Sequence, residues 1–243
     1  MVDIGHCIIL GQCWVTWGVM HKALLTTALP EAVLWDMDGT LIDSEELWDR
    51  GEHRLAQTYG YKWTQQDSVA LIGASMDFCV AYLQNAGVGM ERNDIIAALS
   101  RFVEEGLREE VPWQPGAREV LNTVRALGVP SALVTASPTS IAHIVAQEWG
   151  GFAEVIGDGE VTRGKPDPEP YLLAAKRLGV DITKCVVVED SPNGITAGLA
   201  SGAQVIGITS MLDLTHIEGI HRVDSVEQIT PKMLTEVILG AAT

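Results

Sequence analysis

The sequence predicts an α/β protein built on a parallel sheet, with an all-helical segment inserted after the first strand. Three observations carry this. Short apolar runs at Ala32–Trp35, Ser131–Val134, Cys185–Val188 and Gln204–Ile208 each stop at a polar or turn-forming stretch, as buried parallel strands do. From Ala117 onward such runs alternate with segments of helical spacing, the order of a sheet covered on both faces. Between Ser44 and Val111 no comparable run occurs. The expected division is an N-terminal extension over residues 1–29, an α/β core over 30–44 and 112–243, and a helical cap over 45–111.

The first strand, Ala32–Trp35, runs into Asp36-Met37-Asp38-Gly39-Thr40. In open α/β sheets ligands lie beyond the carboxyl ends of the strands. Residues i and i+2 of an extended chain point the same way, so Asp36 and Asp38 form a carboxylate pair, which needs a cation or a shared proton to relieve its repulsion. Asp43 and Ser44 are N-cap candidates, with Glu45 and Glu46 in the first turn of a helix reaching Gly60. Further helices are expected at Gln65–Leu71, Met76–Ala86 and Asp94–Glu110, and Pro112 to Gly116 forms a return hinge. Helices then follow at Ala117–Leu127, Thr139–Trp149, Pro168–Leu178, Pro192–Ser201 and Pro231–Leu239, with a short strand at Glu154–Ile156.

Composition narrows the partners. Of 243 residues, 47% are hydrophobic, ample for a packed core. The 16 Lys and Arg against 32 Asp and Glu leave a formal charge of −16. A chain that binds a nucleic-acid backbone needs the opposite sign, so no nucleic-acid partner is expected. The same charge repels a phosphate at long range. Any anion site must therefore be locally positive, from a metal, a lysine or helix amides. Cys7, Cys13, Cys79 and Cys185 are scattered without metal-ligand pairing, which fits a reduced, cytoplasmic protein. The apolar stretch from Ile4 to Met20 has no Lys or Arg before it and is interrupted by His6 and Gln12. It reads as a loosely attached extension and not as a membrane anchor.

Four polar groups fall just beyond strand ends or on loops: Asp36 with Asp38, Thr135 to Ser137, Lys165, and Glu189 with Asp190. Each has an ordinary structural alternative. Thr135 and Ser137 suit a helix cap, Lys165 a solvated loop, and Glu189-Asp190 an N-cap pair before Pro192. In one parallel sheet, however, these ends share an edge, and all four can converge there.

These stretches resemble the haloacid dehalogenase superfamily of phosphotransferases, in its β-phosphoglucomutase-like branch with a helical cap. The resemblance runs from about Ala32 to Ile208. It rests on Asp36-Met37-Asp38-Gly39-Thr40, the strand closing on Thr135, Gly164-Lys165-Pro166-Asp167-Pro168, and Val188-Glu189-Asp190-Ser191-Pro192-Asn193-Gly194. Ile42 to Arg50 is most similar to the sugar and hexitol phosphate phosphatases. The resemblance implies a Rossmann-like core and a Mg²⁺-dependent phosphatase acting on a small phosphorylated metabolite, a sugar or polyol phosphate, as a monomer. It implies that Asp36 is the nucleophile and forms an aspartyl-phosphate, and that Asp38 is the general acid and base. Thr135, Ala136, Ser137 and Lys165 would hold the phosphoryl oxygens. Asp36, Asp190 and the backbone carbonyl of Asp38 would hold the metal, with Glu189 a ligand or a supporting acceptor. Many members carry a second Asp four residues after the first in the last motif. Gly194 stands there in this chain, which suits a Glu-Asp subtype. Trp48, Gly73 and Ser75 are the cap candidates for specificity, and Trp63 is either such a candidate or cap core.

Two other readings compete. A mutase of this branch usually carries a histidine where Trp48 stands and a basic residue just after Gly-x-Ser, where this chain has Met76. A non-catalytic phosphate-binding regulatory module would not need every catalytic position filled. A dehalogenase lacks the second carboxylate, and a receiver domain is about half this length with no cap.

Overall fold

A computed structural model describes residues 29–72, 74–209, 214 and 217–240. The expected extension over residues 1–29 falls almost wholly outside the described residues.

The sheet begins at β1, Ala32–Trp35, every residue of which is buried. It continues through β2, Ser131–Val134, β3, Glu154–Ile156, β4, Cys185–Glu189, β5, Gln204–Ile208, and β6, His221–Val223. The strand order is β3-β2-β1-β4-β5-β6 and every pairing is parallel. β1 is central, with Trp35 level with Leu133 of β2 and Val188 of β4. Two departures from the sequence reading appear. β4 extends one residue further, because Glu189 still pairs with Gly207. β6 was not expected, since His221-Arg222-Val223 carries no apolar run.

Alternation along the strands fills two cores. Val33 and Trp35 with Val186 and Val188 enter one cluster, and Ala32 and Leu34 with Cys185 and Val187 enter the other. The first is covered by α5 (Ala117–Ala126), α6 (Thr139–Trp149) and α9 (Pro231–Ile238). The second is covered by α7 (Glu169–Leu178) and α8 (Pro192–Ser201). With both faces dry, near-continuous Val, Leu and Ala in β1, β2 and β4 is what the sheet requires.

Between β1 and β2 the chain forms α1 (Glu45–Thr58), α2 (Gln65–Leu71), α3 (Met76–Asn85) and α4 (Arg92–Glu109), with no strand among the described residues of that stretch. α4 starts two residues before the expected Asp94, with Glu91 as its N-cap residue. The stretch has its own apolar cluster, including Ala56, Leu71, Val80, Leu83, Ile95 and Leu99. The far half of α4 sends Val103 and Leu107 into the cluster under the sheet. The two connections to the core run side by side. Asp43 N–H donates to Pro112 O at 2.8 Å, Gln114 N–H to Leu41 O at 2.8 Å, and Ile42 bridges Trp113 antiparallel.

Candidate active site

β1, β2 and β4 end at the same edge, and the loops that follow them bring the four polar groups together. Asp36 N–H still donates to Val188 O at 3.0 Å, so Asp36 leaves the sheet directly beside β4. The chain then turns tightly: Leu41 and Ile42 N–H both donate to Met37 O, at 2.9 and 3.1 Å. Gly39 has φ +81°, and a Cβ on it would lie 2.2 Å from Asp190 Oδ2. Only glycine suits both the left-handed backbone and this approach.

Lys165 is the hub of the acidic side. Its Nζ donates to Asp36 Oδ1 and Glu189 Oε1, each at 2.6 Å, and to Val134 O at 2.9 Å. With 4% of its side chain exposed it is not a solvated loop lysine. Burial opposes its charge, but Asp36 and Glu189 outweigh that and hold the ammonium above its ordinary value. Burial, and then Glu189, push Asp36 well above the usual carboxylate range. The same two causes take Asp190 to about 7. Asp36 and Lys165 are thus both raised although they are partners, because Asp36, Glu189 and Asp190 share a single ammonium. The deficit of positive charge invites a cation.

Glu189 is fully buried. Its Oε1 also accepts from Tyr171 Oη at 2.7 Å, and its Oε2 accepts from Asp190 N–H, Ser191 N–H and Ser191 Oγ. A Cβ at Gly194 would lie 1.6 Å from Glu189 Oε1, so Glu189 occupies the space a side chain at 194 would take. The N-cap of α8 is Ser191, whose hydroxyl accepts from Gly194 N–H at 3.0 Å. Capping therefore does not account for Glu189 and Asp190.

Asp38 stands in a different setting. Its Oδ2 accepts from Ser137 Oγ at 2.7 Å and Thr135 Oγ1 at 3.1 Å, and its Oδ1 from Ser44 Oγ at 2.5 Å. Thr135 and Ser137 do not cap α6, whose N-cap residue is Pro138 without a side-chain bond. Ser137 N–H donates to Thr135 Oγ1 at 2.9 Å, which fixes the Thr135-Ala136-Ser137 turn. Ser44 is, with Asp43, an N-cap candidate in the sequence. It occupies that position, but its side chain caps nothing and bonds Asp38. Tyr171 and Thr40, whose Oγ1 donates to Asp190 Oδ1 at 3.2 Å, are two further site residues the sequence reading missed. Tyr171 stands beside no strand-end signal, and Thr40, although it closes the stretch after β1, reads there as part of the turn behind the two carboxylates.

The donors suit a hard cation. Asp36, Glu189 and Asp190 each offer a carboxylate oxygen, all within 4.8 Å of one another. Glu189 has both oxygens engaged, whereas Asp36 Oδ2 and Asp190 Oδ2 accept no hydrogen bond among the described residues. The Asp38 carbonyl likewise accepts no backbone bond. Mg²⁺ takes one or two carboxylates with further oxygen ligands, and the two free carboxylate oxygens suit the first part of that demand.

The cap candidates are placed as follows. Trp48 is partly buried and packs against both the cap cluster and the cluster under the sheet. Ser75 is exposed and caps α3, accepting from Phe78 N–H at 3.3 Å. Gly73 lies outside the described residues. Trp63 packs in the cap cluster, edge-on to Tyr61 and Tyr82, with its Nε1–H donating to Ser68 Oγ at 3.0 Å.

The haloacid dehalogenase-like hydrolase family matches residues 30–202. Hexitol phosphatase A of Escherichia coli (strain K12) is 34% identical over 202 residues, which is 81% of this chain and 92% of that protein. A phosphorylated carbohydrates phosphatase of Thermotoga maritima is 31% identical over 191 residues, covering 75% of this chain and 87% of that one. Among solved structures, a HAD hydrolase of family IA, variant 3, from Entamoeba histolytica superposes with a TM-score of 0.75. It is 25% identical, over 86% of this chain and 99% of its own.

Proposed function

The chain belongs to the haloacid dehalogenase-like hydrolases and is a phosphoric monoester hydrolase; on that premise we propose that it removes phosphate from a sugar or polyol phosphate through a phosphorylated Asp36. The observation that carries the reading is the contrast between two carboxylates on one turn. Asp36 faces Lys165 and the acidic cluster, while Asp38 is held by three hydroxyls. Carboxylates in environments this different take different roles.

Asp36 attacks phosphorus, the P–O bond to the alcohol breaks, and Asp38 protonates the leaving oxygen. Asp38 then takes a proton from the water that attacks the aspartyl-phosphate, releasing inorganic phosphate and restoring Asp36. Thr135, Ser137, the amide of Ala136 and Lys165 are the donors for the phosphoryl oxygens. An incoming phosphoryl group would draw the Thr135 and Ser137 hydroxyls away from Asp38 and leave it free to act. Asp36 Oδ2, Asp190 Oδ2 and the Asp38 carbonyl would hold Mg²⁺, which when bound neutralises phosphoryl charge. Glu189, with both oxygens engaged, fixes Lys165 and is not a ligand in this reading. The helices over residues 45–111 act as a cap that closes over the leaving group. Trp48 cannot relay a proton, since indole only donates, and Met76 cannot hold a second phosphate, which favours hydrolysis over mutase chemistry.

The test is phosphate release from a panel of sugar, polyol and nucleotide monophosphates, with Mg²⁺ and with excess EDTA. Release from hexose or hexitol monophosphates that EDTA stops and Mg²⁺ restores is expected. Conversion of β-glucose 1-phosphate to glucose 6-phosphate that depends on glucose 1,6-bisphosphate and outpaces phosphate release would make the enzyme a mutase instead.

A further inference from the structure

On α1, Glu45, Asp49 and Glu52 stand at i, i+4 and i+7, on one face of the helix and spread over about 10 Å of its axis. The near end abuts the active site. Burial, and then the charge of Asp38, followed by Asp43 and Asp49, raise the Glu45 carboxyl above its ordinary value. The far end reaches α3, where the Glu52 Oε1 accepts from Cys79 Sγ at 3.1 Å. Trp48, beside this face, packs between the cap cluster and the sheet.

Two oxygens in this row accept no hydrogen bond among the described residues, and one of them is fully enclosed. Asp49 Oδ1 is wholly buried and has no hydrogen-bond partner. Glu52 is only 6% exposed, yet its Oε2 accepts no bond among the described residues. Leaving buried carboxylate oxygens without donors is costly, and such groups need a reason. A cation is a poor one. Among the described residues, the carboxylates that converge tightly enough to hold a metal as a group of three are Asp36, Glu189 and Asp190, and the α1 row is not such a group. Oxygens strung along a helix suit a chain molecule that offers several separate donors.

We infer that Asp49 and Glu52 accept hydrogen bonds from successive hydroxyl groups of the substrate's leaving alcohol, which extends from the phosphoryl group at Asp36 up the inner face of α1. The inference rests on the proposed phosphatase function and names the part of the substrate the cap reads. Burial first, then Glu45 and Asp49, raise Glu52 to about 7 against the opposing Cys79 bond.

The experiment compares kcat/KM for sorbitol 6-phosphate, which carries a polyol chain, with that for p-nitrophenyl phosphate, which does not. Asp49→Ala and Glu52→Met are each expected to lower the ratio of the two values about ten- to hundredfold, the effect of a lost hydrogen bond to a charged group. The isosteric Asp49→Asn and Glu52→Gln keep the volume of the cap and are expected to lower the ratio severalfold. An equal loss on both substrates, or no change in the ratio, would overturn the inference. So would a loss that saturating Mg²⁺ restores, which would assign the row to a cation. A wild-type protein that hydrolyses neither ester would overturn the phosphatase reading itself. One that hydrolyses the aryl ester with no preference for the polyol ester would overturn this inference alone.

Discussion

Asp190 owes its place to a residue with no side chain. The Cβ that Gly39→Ala introduces would meet Asp190 Oδ2 at 2.2 Å, and the left-handed backbone there costs a non-glycine residue about 1–2 kcal/mol. Gly39→Ala is therefore expected to move the Asp190 carboxylate and raise the Mg²⁺ concentration needed for half-maximal activity by tenfold or more. A metal titration of phosphate release measures this, and an unchanged midpoint would remove Asp190 from the metal site. Several residues of this kind could be read in the sequence, because Asp36, Asp38, Lys165, Glu189 and Asp190 all sit at strand ends or on the loops that follow them. Ser44 and Tyr171 could not. A serine at a helix start is read as a cap, and nothing local reveals that its hydroxyl turns back to Asp38. Tyr171 looks like one more core residue on α7, and only the fold brings its hydroxyl to Glu189.

The elements were readable where periodicity is strong. β2, β3, α6, α8 and β5 have the expected bounds, while β6 escaped because three residues without an apolar run give no period to detect. In the cap, α2 is tied down by one carboxylate. Asp67 accepts from Thr64 N–H and Thr64 Oγ1, each at 2.6 Å, from Tyr82 Oη at 2.6 Å and from Tyr61 Oη at 3.0 Å. The Thr64 hydroxyl bond first, and then that of Tyr82, hold its carboxyl down at about 2, against an ordinary 3.8. A carboxyl depressed by folding stabilises the fold above its unfolded value and loses that contribution as pH falls through its folded value. Thermal melts of wild type and Asp67→Asn should differ above pH 4, with wild type the more stable. The gap should close as pH falls from about 4 towards about 2. A gap independent of pH would show that the ionised carboxylate is not what holds α2.

For the whole molecule, the formal charge of −16 and the chemistry of an anionic substrate pull in opposite directions. The fold resolves this locally. One buried ammonium and the oxygens left for a cation stand at the edge where β1, β2 and β4 end. No helix among the described residues is long and apolar enough to cross a membrane. The central claim is that the phosphoryl group passes through Asp36. Acid-quenching the enzyme during turnover of ³²P-labelled hexitol phosphate, followed by peptide mapping, tests it most directly. The account predicts label on the peptide carrying Asp36, chased into inorganic phosphate on further incubation, and neither label nor turnover in Asp36→Asn. Phosphate release at an undiminished rate by Asp36→Asn, or label on a different residue, would contradict it.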